Sequence, residues 1–181
     1  MKKINSKTLI NVLGFYICWW LCIYGAIQEM YAVGPLSVLI YMVLHFVYLT
    51  NNKIEYLYIL ICFVLGFLID TIILKLNIIR YSGFLPDNYN VAPLWVVCLW
   101  LCFSLSIFHS FKVLQKRYKE SLFLGFVSGP LVYYSFSKIE IITISDSYNI
   151  LFILFFIAVL WMFLIPFYVF IADQLIKLGN E

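Results

Sequence analysis

IEYLYILICFVLGFLIDTIILKL, residues 54–76, is the stretch of sequence that decides the fold. It is long enough to cross a bilayer as an α-helix, which needs about 20 predominantly apolar residues. Asp70 lies inside this run, one turn after Gly66. A carboxylate in hydrocarbon costs at least about 2.5 kcal/mol, so by default it indicates a functional site with a partner elsewhere in the protein.

The chain as a whole has the composition of a membrane protein. Of its 181 residues, 65% are hydrophobic and 12% are charged, about half the charged fraction of a soluble domain. There are too few polar side chains to cover a water-soluble globule, so we predict one membrane domain whose partner is the lipid bilayer. The net charge is only +3, and the basic residues lie in short connections. This distribution argues against a nucleic-acid partner, and no cofactor is predicted.

Six apolar runs predict an all-α, polytopic bundle of about six transmembrane helices in a single domain, residues 1–181. The predicted helices cover residues 9–27, 34–49, 54–76, 91–111, 121–142 and 150–175. Nine of the twelve Lys and Arg fall on one side of this arrangement, so the positive-inside rule places both termini in the cytoplasm. The longest connection, residues 77–90, is rich in turn residues and predicts a small cap over one face.

Small and polar residues collect on one side of five of these helices when they are placed at about 100° per residue. The five sets are Asn11, Gly14, Cys18, Cys22, Gly25 and Glu29; Gly34, Ser37, Tyr41, His45 and Tyr48; Glu55, Cys62, Gly66, Asp70 and Asn77; Trp95, Cys98, Cys102, Ser106 and His109; and Ser121, Gly125 and Gly129. Such stripes are either helix-packing seams, as we expect for Gly125 and Gly129, or cavity linings. Both interpretations stay open.

Two predictions concern the residues that these stripes leave out. On the fourth helix, the stripe leaves Trp100, Phe108 and Phe111 to face lipid. Residues 150–175 carry no stripe, so we predict that the sixth helix lies at the periphery and is kinked at Pro166. The cysteines are a separate case. All five fall in apolar segments, and an odd number cannot all pair in disulfides. We interpret them as small packing residues rather than as a disulfide framework.

An outer pocket is the first candidate site. With the termini in the cytoplasm, Asp70, Glu29 and Trp95 share one depth near the outer side. The arrangement predicts a pocket with the two acids as polar groups and Trp95 as a wall, and with Cys98 and Gly66 on lining faces. Two nearby carboxylates can split their pKa values, so that one acts as acid and the other as base. Alternatively, Asp70 is a structural residue that is hydrogen-bonded to a neighbouring helix.

The two histidines form the second candidate site. His45 and His109 lie near the inner ends of the second and fourth helices, where Ser106 also faces inward. Two histidines are too few for a metal site unless an acid joins them, and Glu55 is the only acid at that depth. We therefore predict no metal site. A histidine at the cytoplasmic interface is the simpler interpretation, and a catalytic His109 is the alternative.

Several short motifs resemble, in the same order, those of a small bacterial inner-membrane family classed as a domain of unknown function. They are Gly66 with Asp70, Pro93-Leu94-Trp95, Leu99-Trp100, Phe103, His109-Ser110, and Gly129-Pro130-Leu131 with Tyr133. The resemblance runs from about residue 14 to residue 133, and the sixth helix carries no matching motif. It implies a multi-pass inner-membrane protein and a shortlist of residues: Asp70, Trp95, Trp100, His109, Gly129 and Pro130.

Three hypotheses for function follow. The first is a membrane-embedded accessory or lipid-binding protein, which fits the lack of a nucleophile elbow, a Walker motif or a zinc-peptidase motif. The second is an intramembrane enzyme on a lipid or isoprenoid substrate, with Asp70 and Glu29 as acid and base. The third is a small dimeric transporter in which Asp70 is the coupling site, which implies a homo-oligomer.

Overall fold

The computed structural model describes residues 6–50, 52–83 and 90–179. Within these ranges the chain forms α1 (Ser6–Ile27), α2 (Val33–Leu44), α3 (Lys53–Lys75), α4 (Leu94–Ser104), α5 (Tyr118–Lys138) and α6 (Ile150–Leu178). Two short strands, β1 (Ile79–Tyr81) and β2 (Ile142–Ile144), pair antiparallel. The helical class is confirmed, and the small sheet is an element that the sequence did not predict.

Three of the helices are long and apolar enough to cross a membrane, namely α1, α3 and α6. The apolar helices α2 and α4 are shorter, and α5 carries charged residues near both of its ends. By length and composition, the described part of the chain therefore supports three membrane-spanning helices. Six spans stay a prediction.

Helix α4 is the centre of the bundle, with α1, α2 and α3 packed against it. Trp100 is only 5% exposed, and its neighbours Leu99 and Cys102 are also buried. The prediction that Trp100 faces lipid is wrong, because its indole lies on Gly66 of α3 and packs against Trp161 and Tyr168 of α6. Phe108 and Phe111, also predicted to face lipid, are half-buried against the core.

Helix α4 ends at Ser104, well before the predicted end at residue 111. The side-chain amide of Asn11 donates to the Leu105 carbonyl at 2.9 Å, which is the carbonyl that one more helical turn would use. The backbone N–H of His109 bonds instead to the Ser106 carbonyl at 3.1 Å. Competing side-chain bonds of this kind end helices, so the following residues form turns.

Helix α2 continues into a single π-helical turn, His45–Leu49. A π turn closes its hydrogen bonds between residues i and i+5, and here the Thr50 N–H bonds to the His45 carbonyl at 3.2 Å. The next inward position therefore falls on Leu49, which is buried, while Tyr48 is 65% exposed. The inward prediction for Tyr48 is wrong for this reason.

Helix α5 ends at Lys138, so residues 139–142 leave the predicted helix. Glu140 adopts a left-handed backbone conformation, with φ of 60°, which is a common way to end a helix. Ile142 then pairs with Tyr81 across the sheet. Part of the predicted cap over residues 77–90 is thus strand β1, and residues 84–89 lie outside the described residues.

Helix α6 packs along α5 and also contacts α3. Tyr168, Val169 and Ala172 are fully buried. On the other face, Leu151, Phe152 and Phe163 are 72%, 63% and 61% exposed, so α6 buries one side only, as a helix at the edge of a bundle does. In a membrane, apolar side chains can face either lipid or neighbouring helices. The inward face of a uniformly apolar helix therefore carries no polar stripe that would mark it in the sequence. The helix continues through Pro166.

Glycines set the close approach of α5 and α6. A Cβ atom at Gly125 would overlap the backbone of Trp161, and one at Gly129 would overlap its side chain. Pro130 follows inside α5, which continues through it. Small residues allow helix backbones to approach closely in membranes, so both glycines lie in a packing seam.

Candidate functional site

Asp70 is the centre of a buried hydrogen-bond network. The hydroxyls of Tyr81 and Tyr133 donate to its Oδ1 at 2.6 and 2.7 Å, and the indole N–H of Trp100 donates to its Oδ2 at 2.5 Å. Asp70 itself is 1% exposed. The donors come from β1, α5 and α4, so one carboxylate on α3 joins three other elements. A buried carboxylate is tolerated when it is hydrogen-bonded in this way.

Gly66 allows Trp100 to reach the carboxylate. A Cβ atom at Gly66 would overlap the indole ring, so the ring lies directly on the α3 backbone, one turn before Asp70. The four-residue spacing of Gly66 and Asp70 therefore has a geometric reason. Gly66 was predicted to line a pocket, and it instead lies beneath Trp100.

Strand β1 places Tyr81 beside the network. Asn77, with φ of 53°, turns the chain out of α3, and Tyr81 then pairs with Ile142 of β2. Burial and the neighbouring charge of Asp70 raise the pKa of the Tyr81 hydroxyl well above its usual range. The phenol therefore keeps its proton and acts as a donor.

A cavity of about 370 Å³ opens beside the network, which is within the range of small-molecule pockets, about 300–1,000 Å³. Its walls come from α1, α4, α5 and α6, and all five tryptophans of the chain line it: Trp19, Trp20, Trp95, Trp100 and Trp161. Its polar side chains include Ser128 and the three oxygen-bearing members of the network. The cavity is therefore an aromatic chamber with one polar region.

The rim of this cavity is apolar. Tyr16 and Trp20 of α1 are 57% and 62% exposed, and Leu124 of α5 is 38% exposed, while all three line the cavity. The opening thus faces the same surface as the exposed apolar side chains of the long helices.

Glu29 does not take the place predicted for it. It is exposed in the turn that follows α1, has a left-handed backbone with φ of 58°, and is not a cavity-lining residue. The expected pairing of two carboxylates is corrected: the partners of Asp70 are two phenols and an indole. Trp95 does line the cavity, and its indole N–H donates to the Ser82 carbonyl at 2.8 Å.

Cys98 and Ser106 were also predicted to line a pocket, and both lie outside the cavity. Cys98 is 3% exposed in the core. The hydroxyl of Ser106 donates to the Cys102 carbonyl at 3.0 Å, so this serine is satisfied by the helix that carries it. All five cysteines are buried and unbridged, in agreement with a packing role.

His45, Glu55 and His109 meet near the other end of α3. The Nε2 atoms of the two histidines lie 3.0 and 3.1 Å from the same Glu55 oxygen, Oε2. Their rings are perpendicular, with centroids 4.8 Å apart. His45 and Glu55 are buried and His109 is part-buried. The π turn supplies His45, the first turn of α3 supplies Glu55, and the turns after α4 supply His109.

Asn11 holds the loop that carries His109. Its side-chain oxygen accepts from the backbone N–H and the hydroxyl of Ser110 at 3.2 and 2.6 Å. Its amide nitrogen donates to the Tyr41 hydroxyl at 2.7 Å and to the Leu105 carbonyl. One fully buried amide thus joins α1, α2 and the loop.

The two sites are separate. Glu55 and Asp70 lie about 22 Å apart along α3 at 1.5 Å per residue, and the cavity lining includes none of His45, Glu55 and His109. The histidines are therefore no part of the Asp70 site.

Sequence reasoning missed Tyr81 and the donor role of Tyr133. Tyr81 lies in what reads as a loop, where no periodicity marks a buried side chain. Tyr133 stood in the family motif, which was the only signal for it. Trp161 was hidden by the uniformly apolar sixth helix.

A family model described as "Protein of unknown function (DUF2878)" matches residues 8–167. The chain belongs to this family. The DUF2878 match includes the whole Asp70 network, every cavity-lining residue and the His45–Glu55–His109 cluster, and it extends well into α6, beyond the residues that carry the motif resemblance. Comparisons with curated proteins and with solved structures give no match. Membership of DUF2878 brings no established activity with it, so function has to follow from the geometry.

Proposed function

We propose that this DUF2878 protein binds a lipid with one long apolar chain, fatty or isoprenoid, and serves as a non-enzymatic accessory protein of the bacterial inner membrane. The aromatic cavity with the Asp70 network on its wall is the observation that carries the proposal. A mostly apolar pocket with a few placed polar groups is the usual form of a small-molecule site.

The apolar chain of the ligand would lie along the tryptophan walls. The exposed aromatic rim formed by Tyr16 and Trp20 supports entry from the side, out of the hydrocarbon of the bilayer. A lipid tail that enters there moves between two apolar surroundings and never has to cross water. Lateral entry therefore suits a ligand that is already dissolved in the membrane.

The polar end of the ligand would meet the Asp70 network. A carboxylate offers about four acceptor positions, and Tyr81, Tyr133 and Trp100 use three of them. The remaining position favours a group that donates a hydrogen bond, such as a hydroxyl. An anionic head group would be repelled by the buried carboxylate. We therefore infer a neutral, alcohol-ended chain.

Binding suits this site better than acid–base chemistry or ion coupling. The second carboxylate that an acid–base pair needs, Glu29, is exposed away from the cavity. A coupling site has to take up and release a proton, whereas Asp70 accepts hydrogen bonds from three donors, with which a proton on the carboxylate would compete. These observations favour the lipid-binding hypothesis over the enzyme and the transporter.

We also propose six spans with both termini in the cytoplasm. The distribution of Lys and Arg supports this orientation. It would place the Asp70 cavity in the outer part of the membrane and the histidine cluster near the cytoplasmic face. The two shorter apolar helices, Val33–Leu49 and Leu94–Ser104, would cross with help from their flanking segments.

Tryptophan fluorescence tests the lipid-binding proposal directly, because every tryptophan of the chain lines the cavity. The full chain in detergent is titrated with a long-chain alcohol brominated on its chain, since bromine quenches indole emission. Ser128→Phe places a ring in the cavity. Ser135→Phe makes the same exchange at an exposed position of α5 that does not line it.

We expect saturable quenching in the wild type and in Ser135→Phe. Binding to folded Ser128→Phe should be at least about tenfold weaker, a loss of about 1.4 kcal/mol. Unbrominated alcohol should reverse the quenching, and the brominated fatty acid should bind more weakly. Quenching that rises without saturation and is equal in all three proteins would refute the proposal.

A further inference from the structure

His45, Glu55 and His109 converge from three separate segments, so an acid joins the two histidines, which the prediction of no metal site did not expect. Each residue offers one donor atom, and the three donor atoms lie within 4.8 Å of one another. The two nitrogens lie 3.0 and 3.1 Å from one carboxylate oxygen. In the described part of the chain, no other group of three or more His, Cys, Asp and Glu side chains is arranged in this way.

We propose that this cluster is a binding site for a divalent transition metal of the Zn²⁺ class, with His45, Glu55 and His109 as its three protein ligands. Two imidazoles and one carboxylate are a known ligand set for zinc with a fourth position left open. Imidazole ligands also suit Co²⁺, Ni²⁺ and Cu²⁺, whereas Mg²⁺ and Ca²⁺ prefer sites made of oxygen atoms alone.

Two of the three spacings between donor atoms are close to those of a tetrahedral site. Metal–ligand bonds of about 2.0–2.1 Å place neighbouring ligand atoms about 3.3–3.4 Å apart. The two N–O distances, 3.0 and 3.1 Å, would lengthen by only a few tenths of an ångström. The two histidine nitrogens, which lie within 4.8 Å of each other, would have to approach each other, and rotation of the two imidazole side chains is the motion that can bring them together.

The proton balance is simple. Without metal, each Nε2–H donates to the Glu55 carboxylate. A metal ion takes the Nε2 lone pair, so a neutral ring moves its proton to Nδ1 and a protonated ring releases one proton. Two neutral imidazoles and one carboxylate then leave one positive charge on the complex, which a fourth, anionic or water ligand can share.

The two histidines differ in their exposure to solvent and in the hydrogen bonding of their second ring nitrogen. The His109 side chain is 14% exposed, so the open coordination position would lie on its side. Nδ1 of His45 is buried and has no hydrogen-bond partner among the described residues. In metal sites, a hydrogen-bond acceptor for the second ring nitrogen of a ligating histidine raises the metal affinity by about 10–100-fold, and His45 lacks such an acceptor in the described part of the chain. We therefore expect an affinity below that of a fully supported zinc site.

Spectroscopy can identify the ligands, because the chain has only two histidines. The full chain is purified in detergent, stripped with a chelator and titrated with Co²⁺ or Cu²⁺ alone. We expect one equivalent to bind, with the coupling of two imidazole nitrogens in the electron paramagnetic resonance spectrum of Cu²⁺. Zn²⁺ should displace the Co²⁺.

Variants locate the site. Glu55→Gln and His109→Asn should each weaken binding by about 100-fold or more, beyond the effect of losing an outer-shell partner. Glu120→Gln is the matched control, since Glu120 is exposed in the first turn of α5, and it should bind as the wild type does. If a variant does not fold, the wild-type Cu²⁺ spectrum still tests whether two imidazole nitrogens bind the metal.

Two outcomes would overturn the proposal. The first is that the folded wild type takes up no metal in a saturable way. The second is that the bound Co²⁺ shows sulfur-to-metal charge-transfer absorption and that folded His109→Asn binds it equally well. The metal would then lie at the cysteines rather than at the histidines.

Discussion

Trp100 donates its indole N–H to Oδ2 of Asp70 at 2.5 Å, so a tryptophan of the central helix is a partner of the carboxylate that lies deep in the apolar run of α3. The bond links α4 to α3 within the bundle. Its loss would leave a buried acceptor on one side or a buried donor on the other, and each costs about 1–3 kcal/mol.

Substitutions of Asp70 should therefore destabilise the fold in a graded way. Asp70→Asn keeps one oxygen for Trp100 and turns an amide towards the phenols, so we expect a loss of about 1–3 kcal/mol. Asp70→Ala leaves all three donors without an acceptor and should cost more. Thermal unfolding in detergent, followed by circular dichroism, measures both. If Asp70→Ala unfolds at the wild-type temperature, the network is not structural.

Gly66→Ala should destabilise the protein, although alanine is favoured over glycine in a helix by about 1 kcal/mol. The added methyl group would overlap the Trp100 indole, which would push the ring away from Asp70. The sign of the change is informative, because a helix without this contact would become more stable. A rise in the unfolding temperature would contradict the close approach of α3 and α4.

Asn11→Ala should loosen the loop before the histidine cluster. The exchange leaves Tyr41, Leu105 and Ser110 without their shared partner, and we expect a loss of about 1–3 kcal/mol. Ser110→Ala, which removes only one of these bonds, should cost less. Hydrogen exchange of residues 105–110 should speed up in Asn11→Ala. Equal exchange in both variants would argue that the loop is held by other contacts.

The orientation can be tested with single added cysteines. Lys116→Cys should react with a membrane-impermeant thiol reagent only from the cytoplasmic side, and Asp146→Cys only from the outside. The five native cysteines are buried, so their background labelling should be low. Labelling of Lys116→Cys in intact cells would reverse the orientation and the depth of both sites.

The sequence predicted where the helices lie better than it predicted which of their side chains face other helices and which face lipid. Apolar runs located all six α-helices of the described residues, and the small-residue stripe of α1 marked buried positions such as Asn11 and Cys22. The angular pattern was misleading at Trp100 and marked no inward face on α6, because it takes bulky apolar side chains to face lipid. That assumption fails for a helix surrounded by other helices, where large aromatic residues fill the core.

The candidate sites were predictable only in part. Asp70 stood out because a charge in an apolar run is rare, whereas its tyrosine donors are ordinary in such a sequence. The meeting of His45, Glu55 and His109 depends on how three segments pack, which a single sequence does not encode locally. The early end of α4 positions His109 and the π turn positions His45. Neither feature is marked by a periodic pattern of apolar residues in the sequence.

The π turn at His45–Leu49 also makes the spacing between His45 and Glu55 a matter of chain length. The π turn already holds one residue more than an α-helical turn, so one further inserted residue would rotate everything that follows by about 100°. Glu55 would then leave the two imidazoles, with every member of the cluster still present in the chain. A one-residue insertion in this segment should thus be more harmful to the cluster than a conservative exchange of one of its side chains.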